Sequence, residues 1–336
     1  MSIPNFNPRK KVFIIAEIGN NHEGNFNVAK KLIRSAAKAG ADAVKFQTFV
    51  TNNFVNLDHP SFGRLKKFEF THQQFLKLKK LANSQNLNFI STPLDFSSAH
   101  FLKKNCKIIK IASGDNNFYD LINIFLEKNK QLIISTGMMN AQNVKNLIEF
   151  IFKKKGKEFL KNNLSLLHCV SSYPAEHKSL NLMSIKYLAD NYKNINIGYS
   201  DHSIGYDACI NAVALGARIV EKHFTLSNNF SNFRDHKLSL NPLDMISMVK
   251  KIRTVEMQLG KYEKVVQKNE KKAIFLTRRS IIAKESVNKN EILTSSNTFF
   301  LRPQIRGSEI INEILNKKKI RKNLKPRELI KNRHLF

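Results

Sequence analysis

Eight short apolar runs, each followed at its end by polar residues, recur along the first three quarters of this 336-residue chain and leave few folds open. They are Val12–Ile18, Ala43–Gln47, Asn88–Ser91, Ile108–Ala112, Leu132–Ser135, Leu164–His168, Ile195–Tyr199 and Ile219–His223. Runs this rich in Val and Ile read as strands buried on both faces. Helical patterns separate them, clearest where Phe26, Ala29, Leu32, Ile33, Ala36 and Ala37 repeat before Gly40. Eight such units in about 250 residues is the size of an α/β fold of the (β/α)₈ TIM-barrel type. A doubly wound sheet is the competitor, but the chain has no glycine-rich phosphate fingerprint.

The strand ends carry the chemistry. In order they offer Glu17, Lys45 with Gln47, Thr92, Ser113 with Asp115, Ser135 with Thr136, His168, Ser200 with Asp201 and His202, and Glu221 with His223. Barrel enzymes place their reactive groups at the C-terminal ends of the strands, so these residues are expected around one mouth. Lys45 is a point charge able to hold a phosphate, and the hydroxyls of Thr92, Ser113, Ser135 and Ser200 are neutral donors to oxyanions. Each hydroxyl alone is equally explained as a helix N-cap. Glu17 is a candidate general base, with a purely structural partnership to Lys45 as the alternative. Asp115 and Asp235 could hold the hydroxyls of a polyol.

Two imidazoles, His202 and His223, close successive strands of one β-α-β unit and so face the same side. Converging with Asp201, Glu221 and Asp235, they suit a divalent metal with open positions; a buried, satisfied core histidine is the plainer reading of each. Such a metal polarises carbonyls and acidifies bound water. Phosphate cradle, Lewis acid and polyol-binding carboxylates together suggest a phosphorylated enol meeting an open-chain sugar aldehyde. A Schiff-base aldolase through Lys45 needs a depressed lysine pKa, which Glu17 and the hydroxyls oppose.

The bulk properties bound the rest. A formal charge of +30 invites a nucleic-acid reading, but the lysines are spread along the whole chain without aromatic-basic interleaving. The expectation is an anion-attracting field and no nucleic-acid partner. Cys106, Cys169 and Cys209 show no CxxC spacing and read as reduced thiols. The N-terminal residues lack a signal-peptide pattern, and no run approaches the roughly 20 apolar residues of a membrane helix, so a cytoplasmic enzyme is expected. A helix over Leu243–Leu259 ends at Gly260. The expected domains are a barrel over 1–260 and a small domain over 278–336, with strand Ser280–Ala283 and a turn at Lys289-Asn290. The intervening linker, 261–277, opens with the charged stretch Lys261–Lys272.

The motifs IAEIGNNHEG (Ile15–Gly24), DAVKFQTF (Asp42–Phe49), ISTPLD, IASGD, ISTGM, LLHCVSSYPA, GYSDHSIG and EKHFTL resemble those of the N-acetylneuraminate (sialic acid) synthase family. RRSIIA (Arg278–Ala283) and LRP (Leu301–Pro303) resemble its C-terminal antifreeze-like (SAF) domain. The resemblance implies a TIM barrel that condenses phosphoenolpyruvate with N-acetylmannosamine or a related 2-acetamido sugar, legionaminic- and pseudaminic-type precursors included. It implies a divalent cofactor, Mn²⁺ or Mg²⁺, on His202 and His223, and phosphoenolpyruvate contacts from Lys45, Thr92, Ser113, Ser135 and Ser200. Glu17 matches a catalytic acid/base, and Asp115 stands at a second candidate catalytic carboxylate. Gln47, Ser171, Tyr173 and Asp235 match sugar-contact positions. Arg302 matches an arginine that reaches the acetamido group in a homodimer whose small domain caps the partner's barrel. Three positions depart: Asp115 and Ser171 replace Glu and Asn, and Gln304-Ile305-Arg306-Gly307 replaces Gly-x-Gly-Ile after Arg302-Pro303. A catalytically silent barrel that binds acidic sugars is the alternative.

Overall fold

The computed structural model describes residues 6–308 and 317–336. Eight parallel strands close into a barrel, each paired with its sequence neighbours and β8 with β1. They are β1 (Phe13–Gly19), β2 (Ala43–Thr48), β3 (Asn88–Pro93), β4 (Ile108–Ile111), β5 (Gln131–Ser135), β6 (Leu164–Cys169), β7 (Asn196–Asp201) and β8 (Ile219–His223). The runs read from sequence match these bounds to within two residues. Helices between the strands start at local caps: Asn25 accepts from the Asn27 and Val28 amides, and Asp95 from that of Ser98. Such caps satisfy amides that the first helical turn leaves free.

Side chains on a strand alternate between faces, and here both faces are buried. The outer set, including Ile14, Val44, Phe46, Ile109, Ile134 and Val220, packs under the helices in the main core. The inner set divides by height. At the bottom, Phe13, Ile15, Ala43, Ile90, Ile108, Ile133, Leu167 and Ile219 fill the barrel as a separate apolar cluster. Two residues further along the strands, the inner positions become Glu17, Lys45, Thr92, Lys110, Ser135, Cys169, Ser200 and Glu221, all lining one cavity. The barrel is thus a dry plug with a polar floor on top.

β7 alone contributes no side chain to the apolar plug, and the reason is Gly198. A Cβ there would lie 2.4 Å from the Ile219 carbonyl oxygen and 2.6 Å from Leu167 Cδ2. Leu167 and Ile219 occupy that space instead.

The outer face carries one buried charge pair. Lys222 on β8 meets Asp201 on β7 at 2.7 Å, both side chains fully inaccessible. Asp201 also accepts from the Tyr199 hydroxyl at 3.0 Å and the Ser203 amide at 2.9 Å. Hydrogen bonds to every lone pair are what make such burial tolerable.

The chain divides into two units, Met1–Gly260 and Lys261–Phe336. The second has its own small core of Ile281, Ala283, Val287, Leu293, Ile320, Leu324, Ile330 and Leu335. Within it, β9 (Ser280–Ala283) pairs antiparallel with β10 (Thr298–Leu301). The segment read as a linker contains a helix, Glu270–Thr277, whose side chains are not buried. Asn290 takes a left-handed φ of 69°, as a turn there requires. The three cysteines are free and buried. Among the described residues no helix is long and apolar enough to cross a membrane.

Gly198→Ala should cost about 1–3 kcal/mol, because the added methyl overpacks a rigid wall. Urea unfolding of the variant against the wild type measures this, and an unchanged midpoint would show that the plug relaxes freely.

Candidate active site

The polar floor opens into a cavity of about 460 Å³ at the C-terminal ends of the strands. Of the residues expected there, Glu17, Lys45, Gln47, Thr92, Ser113, Ser135, Tyr173, Ser200, His202, His223 and Asp235 line it together. Asp115 sits on the single turn Ser113–Asp115 after β4, partly buried, and does not line the cavity. Burial raises its pKa. Ser171 lines a neighbouring recess instead, although a Cβ on Gly137 would touch both Ser171 Oγ at 2.4 Å and Ser113 Oγ at 2.5 Å. Arg302 is exposed, just beyond β10 in the C-terminal unit.

Four charges form the floor. Lys45 Nζ lies 2.6 Å from Glu17 and 3.7 Å from Glu221, and Lys110 Nζ lies 3.6 Å from Glu221. Hydroxyls complete the set: Ser200 donates to Glu221 at 2.9 Å, Lys110 donates to Ser135 at 2.6 Å, and Thr92 is 3.4 Å from Lys45. The two carboxyls are driven apart. Burial, aided by the charge on Glu221, lifts Glu17 to about 7 against the pull of Lys45. Burial also works to raise Glu221, but Lys110 and Lys45 outweigh it and hold its pKa below the ordinary value. The lysines divide likewise. Burial would lower Lys45, yet Glu17 and Glu221 raise it; Lys110 is lowered, by burial first and then by Lys45. A raised and a lowered carboxyl side by side is the signature of acid–base assignment.

The imidazoles of His202 and His223 stand beside this floor, ring centroids 5.4 Å apart. His202 Nδ1 faces the Val170 carbonyl at 2.8 Å, with Cys169 Sγ at 3.7 Å, which leaves Nε2 uncommitted. A backbone carbonyl on one ring nitrogen is how metal-binding histidines are commonly oriented. Burial holds His223 well below its ordinary pKa, hence neutral, and its buried Nδ1 has no hydrogen-bond partner. Two neutral-capable imidazoles with free nitrogens fit an open divalent site whose other positions go to substrate and water. Among the described residues, no group of three or more His, Cys, Asp and Glu side chains has the placement of a closed protein cage.

Some strand-end residues face the wrong way for the mouth. Asp201 points outward to Lys222, so it does not converge with the histidines. His168 also points outward, its Nε2 2.7 Å from the Leu180 carbonyl, and Thr136 donates to the Leu167 carbonyl. The groups that strands 4 and 6 themselves offer are Lys110, three residues before Ser113, and Cys169, next to His168. The sequence signal for both was the two-residue offset from the plug residues Ile108 and Leu167. The rim adds Asn20, His59, Arg64, Phe68, Phe233 and Arg234. Asn20, His59, Phe233 and Arg234 come from loops, and Arg64 and Phe68 from the short helix Phe62–Phe68, where no strand alternation points inward.

The family model described as NeuB matches residues 32–264. The chain belongs to the NeuB family. It is 36% identical over 337 residues to the N,N'-diacetyllegionaminic acid synthase of Campylobacter jejuni, covering 96% of this chain and 99% of that protein. It is 32% identical over 335 residues to a pseudaminic acid synthase of the same species, covering 95% of each. Among solved structures, the N-acetylneuraminic acid synthetase of Leptospira borgpetersenii, in complex with citrate, superposes with a TM-score of 0.75 at 34% identity, over 82% of this chain and 94% of that one.

Because the Glu17 pKa lies above its ordinary 4.5, folding favours its protonated form. That contribution to stability is complete below about 4.5 and is lost as the pH rises through about 7. Carbon-13 NMR of glutamate-labelled protein should show one carboxyl titrating near pH 7 that disappears in Glu17→Gln. If every glutamate titrated below 5, the burial account of Glu17 would be wrong.

Proposed function

We propose that this NeuB-family chain condenses phosphoenolpyruvate with an open-chain 2-acetamido sugar aldehyde, forming a nine-carbon 2-keto sugar acid and releasing phosphate. The observation that carries the reading is the floor itself: two buried lysines and a set of hydroxyls for an anion, beside one carboxyl poised near 7. Relatives named for legionaminic and pseudaminic acid synthesis point to acceptors of the same chemical class.

The residues divide the work. Lys45, Lys110, Thr92, Ser113, Ser135 and Ser200 hold the phosphate and carboxylate of the enol, and Glu221 keeps the lysines charged. The enol C3 attacks the aldehyde carbon, and the aldehyde oxygen takes a proton from Glu17. C2, now electron-poor, accepts water, whose proton returns to the Glu17 carboxylate. The tetrahedral adduct then breaks its C–O bond to phosphate, and its hydroxyl proton leaves with the phosphate as the ketone forms. A pKa near the working pH serves both proton transfers. Gln47, Tyr173 and Asp235, which line the same cavity, contact the sugar in this reading. His202 and His223 would hold a divalent cation, Mn²⁺ or Mg²⁺, which supplies electrophilic stabilisation of the aldehyde oxygen when bound. The raised Lys45 pKa disfavours a Schiff base at that residue.

A second copy of the chain, through its C-terminal unit, is the proposed cover for the mouth, with Arg302 reaching the acetamido group. What supports this is the surface around the cavity. The segments after β2 to β8 each expose a large apolar residue, namely Leu57, Phe96, Phe118, Met138, Tyr173, Ile204 and Phe230, which are between 37% and 79% accessible. Phe96 and Phe118 pack edge to face at 5.2 Å, and a partner would take such apolar side chains out of water.

Phosphate release with phosphoenolpyruvate and Mn²⁺ should depend on a 2-acetamido sugar, and release with none of them would leave a silent binding barrel. Glu17→Gln should lower kcat by about 10²–10⁴ while phosphoenolpyruvate still binds. His223→Ala should weaken Mn²⁺ binding by calorimetry; unaltered affinity would remove it from the metal site. Sedimentation should give a dimer that Met138→Asp weakens, and a monomer at micromolar concentration would sink the proposed cover.

A further inference from the structure

The segment between β8 and the helix Pro242–Leu259 is a loop closed at its base. The Phe224 amide donates to the Glu17 carbonyl at 2.8 Å, the Leu240 amide to that of His223 at 2.8 Å, and the Thr225 amide to that of Leu240 at 3.0 Å. The residues between leave the barrel wall and return to it, as a compact Ω-type loop does. Three of them, Phe233, Arg234 and Asp235, line the active-site cavity. No strand ladder fixes the height of this excursion, so side-chain contacts have to.

Those contacts converge on the turn that follows β1. Buried Asn21 donates from Nδ2 to the Phe224 carbonyl and to Ser239 Oγ, both at 2.9 Å, and Ser239 Oγ donates to the Asp235 carbonyl at 2.5 Å. Two residues on, Glu23 Oε1 accepts from His236 Nε2 at 2.9 Å and from the Ser231 hydroxyl. His236 is fully buried, with Nδ1 2.7 Å from the Thr225 hydroxyl and the Phe230 ring 5.1 Å away. One carboxylate oxygen thus gathers both limbs of the loop, Ser231 before the cavity residues and His236 after them. Glu23 does so from a left-handed backbone, φ 47°, which a side chain disfavours and which glycine or asparagine usually takes. A glutamate held in that conformation points to a use for its carboxyl.

We propose that Glu23 and His236 are positioning residues that clip this loop down and hold Asp235 against the cavity. Neither lines the cavity, so neither is a catalytic residue. His236 follows Asp235 on the short helix Asp235–Leu238, so the clip fixes the Asp235 backbone from one side as the Asn21–Ser239 chain does from the other. The sugar consequence rests on the synthase reading, in which Asp235 contacts the acceptor. Losing the clip lets the Asp235 carboxyl move and weakens sugar binding. The phosphoenolpyruvate floor stays intact, because its charges stand on β1, β2, β4 and β8 and not on the loop.

The test is phosphate release by the wild type, Glu23→Ala and Glu23→Gln with Mn²⁺ and N-acetylmannosamine or a 2,4-diacetamido-trideoxyhexose, whichever the wild type uses. Glu23→Ala should raise the sugar KM about tenfold or more, the scale of a hydrogen bond to a charged group, and leave the phosphoenolpyruvate KM within about twofold. Glu23→Gln, whose amide oxygen still accepts from both partners, should recover most of the loss. Asp235→Asn should cost sugar binding less in Glu23→Ala than in the wild type, because the two act through one contact. An unchanged sugar KM, equal rises in both KM values, or additive costs of the two substitutions would each overturn the proposal. A wild type that releases no phosphate with any of these sugars fails the synthase reading instead. The clip is then judged by limited trypsin digestion after Arg234 and Lys237. Faster cleavage in Glu23→Ala that Glu23→Gln reverses supports it, and equal rates overturn it.

Discussion

Four buried charges govern this molecule. An ion moved from water into a protein interior costs several kcal/mol unless partners and hydrogen bonds offset it. Lys45, Glu17, Glu221 and Lys110 meet that condition only collectively, each within 4 Å of an opposite charge. Closing eight strands into a ring is what brings them together, because they come from β1, β2, β4 and β8. The apolar plug beneath closes the bottom of the barrel, so the charges face one open side. Arrangement, rather than any single residue, produces the divergent acidities on which an acid–base role depends.

The wall behind the floor is tied by a different pair. Lys222 and Asp201 lie back to back with Glu221 and Ser200, one step along the same two strands. A sheet whose inner face must hold charged groups within tenths of an ångström gains from a fixed outer face. The pair also explains why polar residues cluster so densely at these two strand ends: Asp201 and Lys222 serve the wall, and their neighbours face the cavity.

Much of this was legible in the residues. The strands stood out because Val- and Ile-rich runs of this length have few other uses, and their polar ends located the mouth. Which residue of each end faces inward was not legible. In a half-exposed sheet the hydrophobic alternation marks the inner face, but here both faces are buried and the alternation is silent. His168 and Asp201 were therefore read as mouth residues, while Lys110 and Cys169 were passed over. The residues around the mouth were out of reach for another reason. Arg64 lies on the short helix Phe62–Phe68 and Arg234 on the loop after β8, and only the tertiary fold brings them to the cavity.

The near-neutral acidity of Glu17 has a thermodynamic consequence for any anion that enters. Near neutral pH both forms of that carboxyl are populated. A negative ligand on Lys45 and Lys110 weakens their hold on the carboxylate and draws a proton from solvent. Ligand affinity and proton uptake are then a single linked equilibrium. The heat of binding would change with the ionisation enthalpy of the buffer, and the pocket would tighten on its anion as the solution is made slightly more acidic.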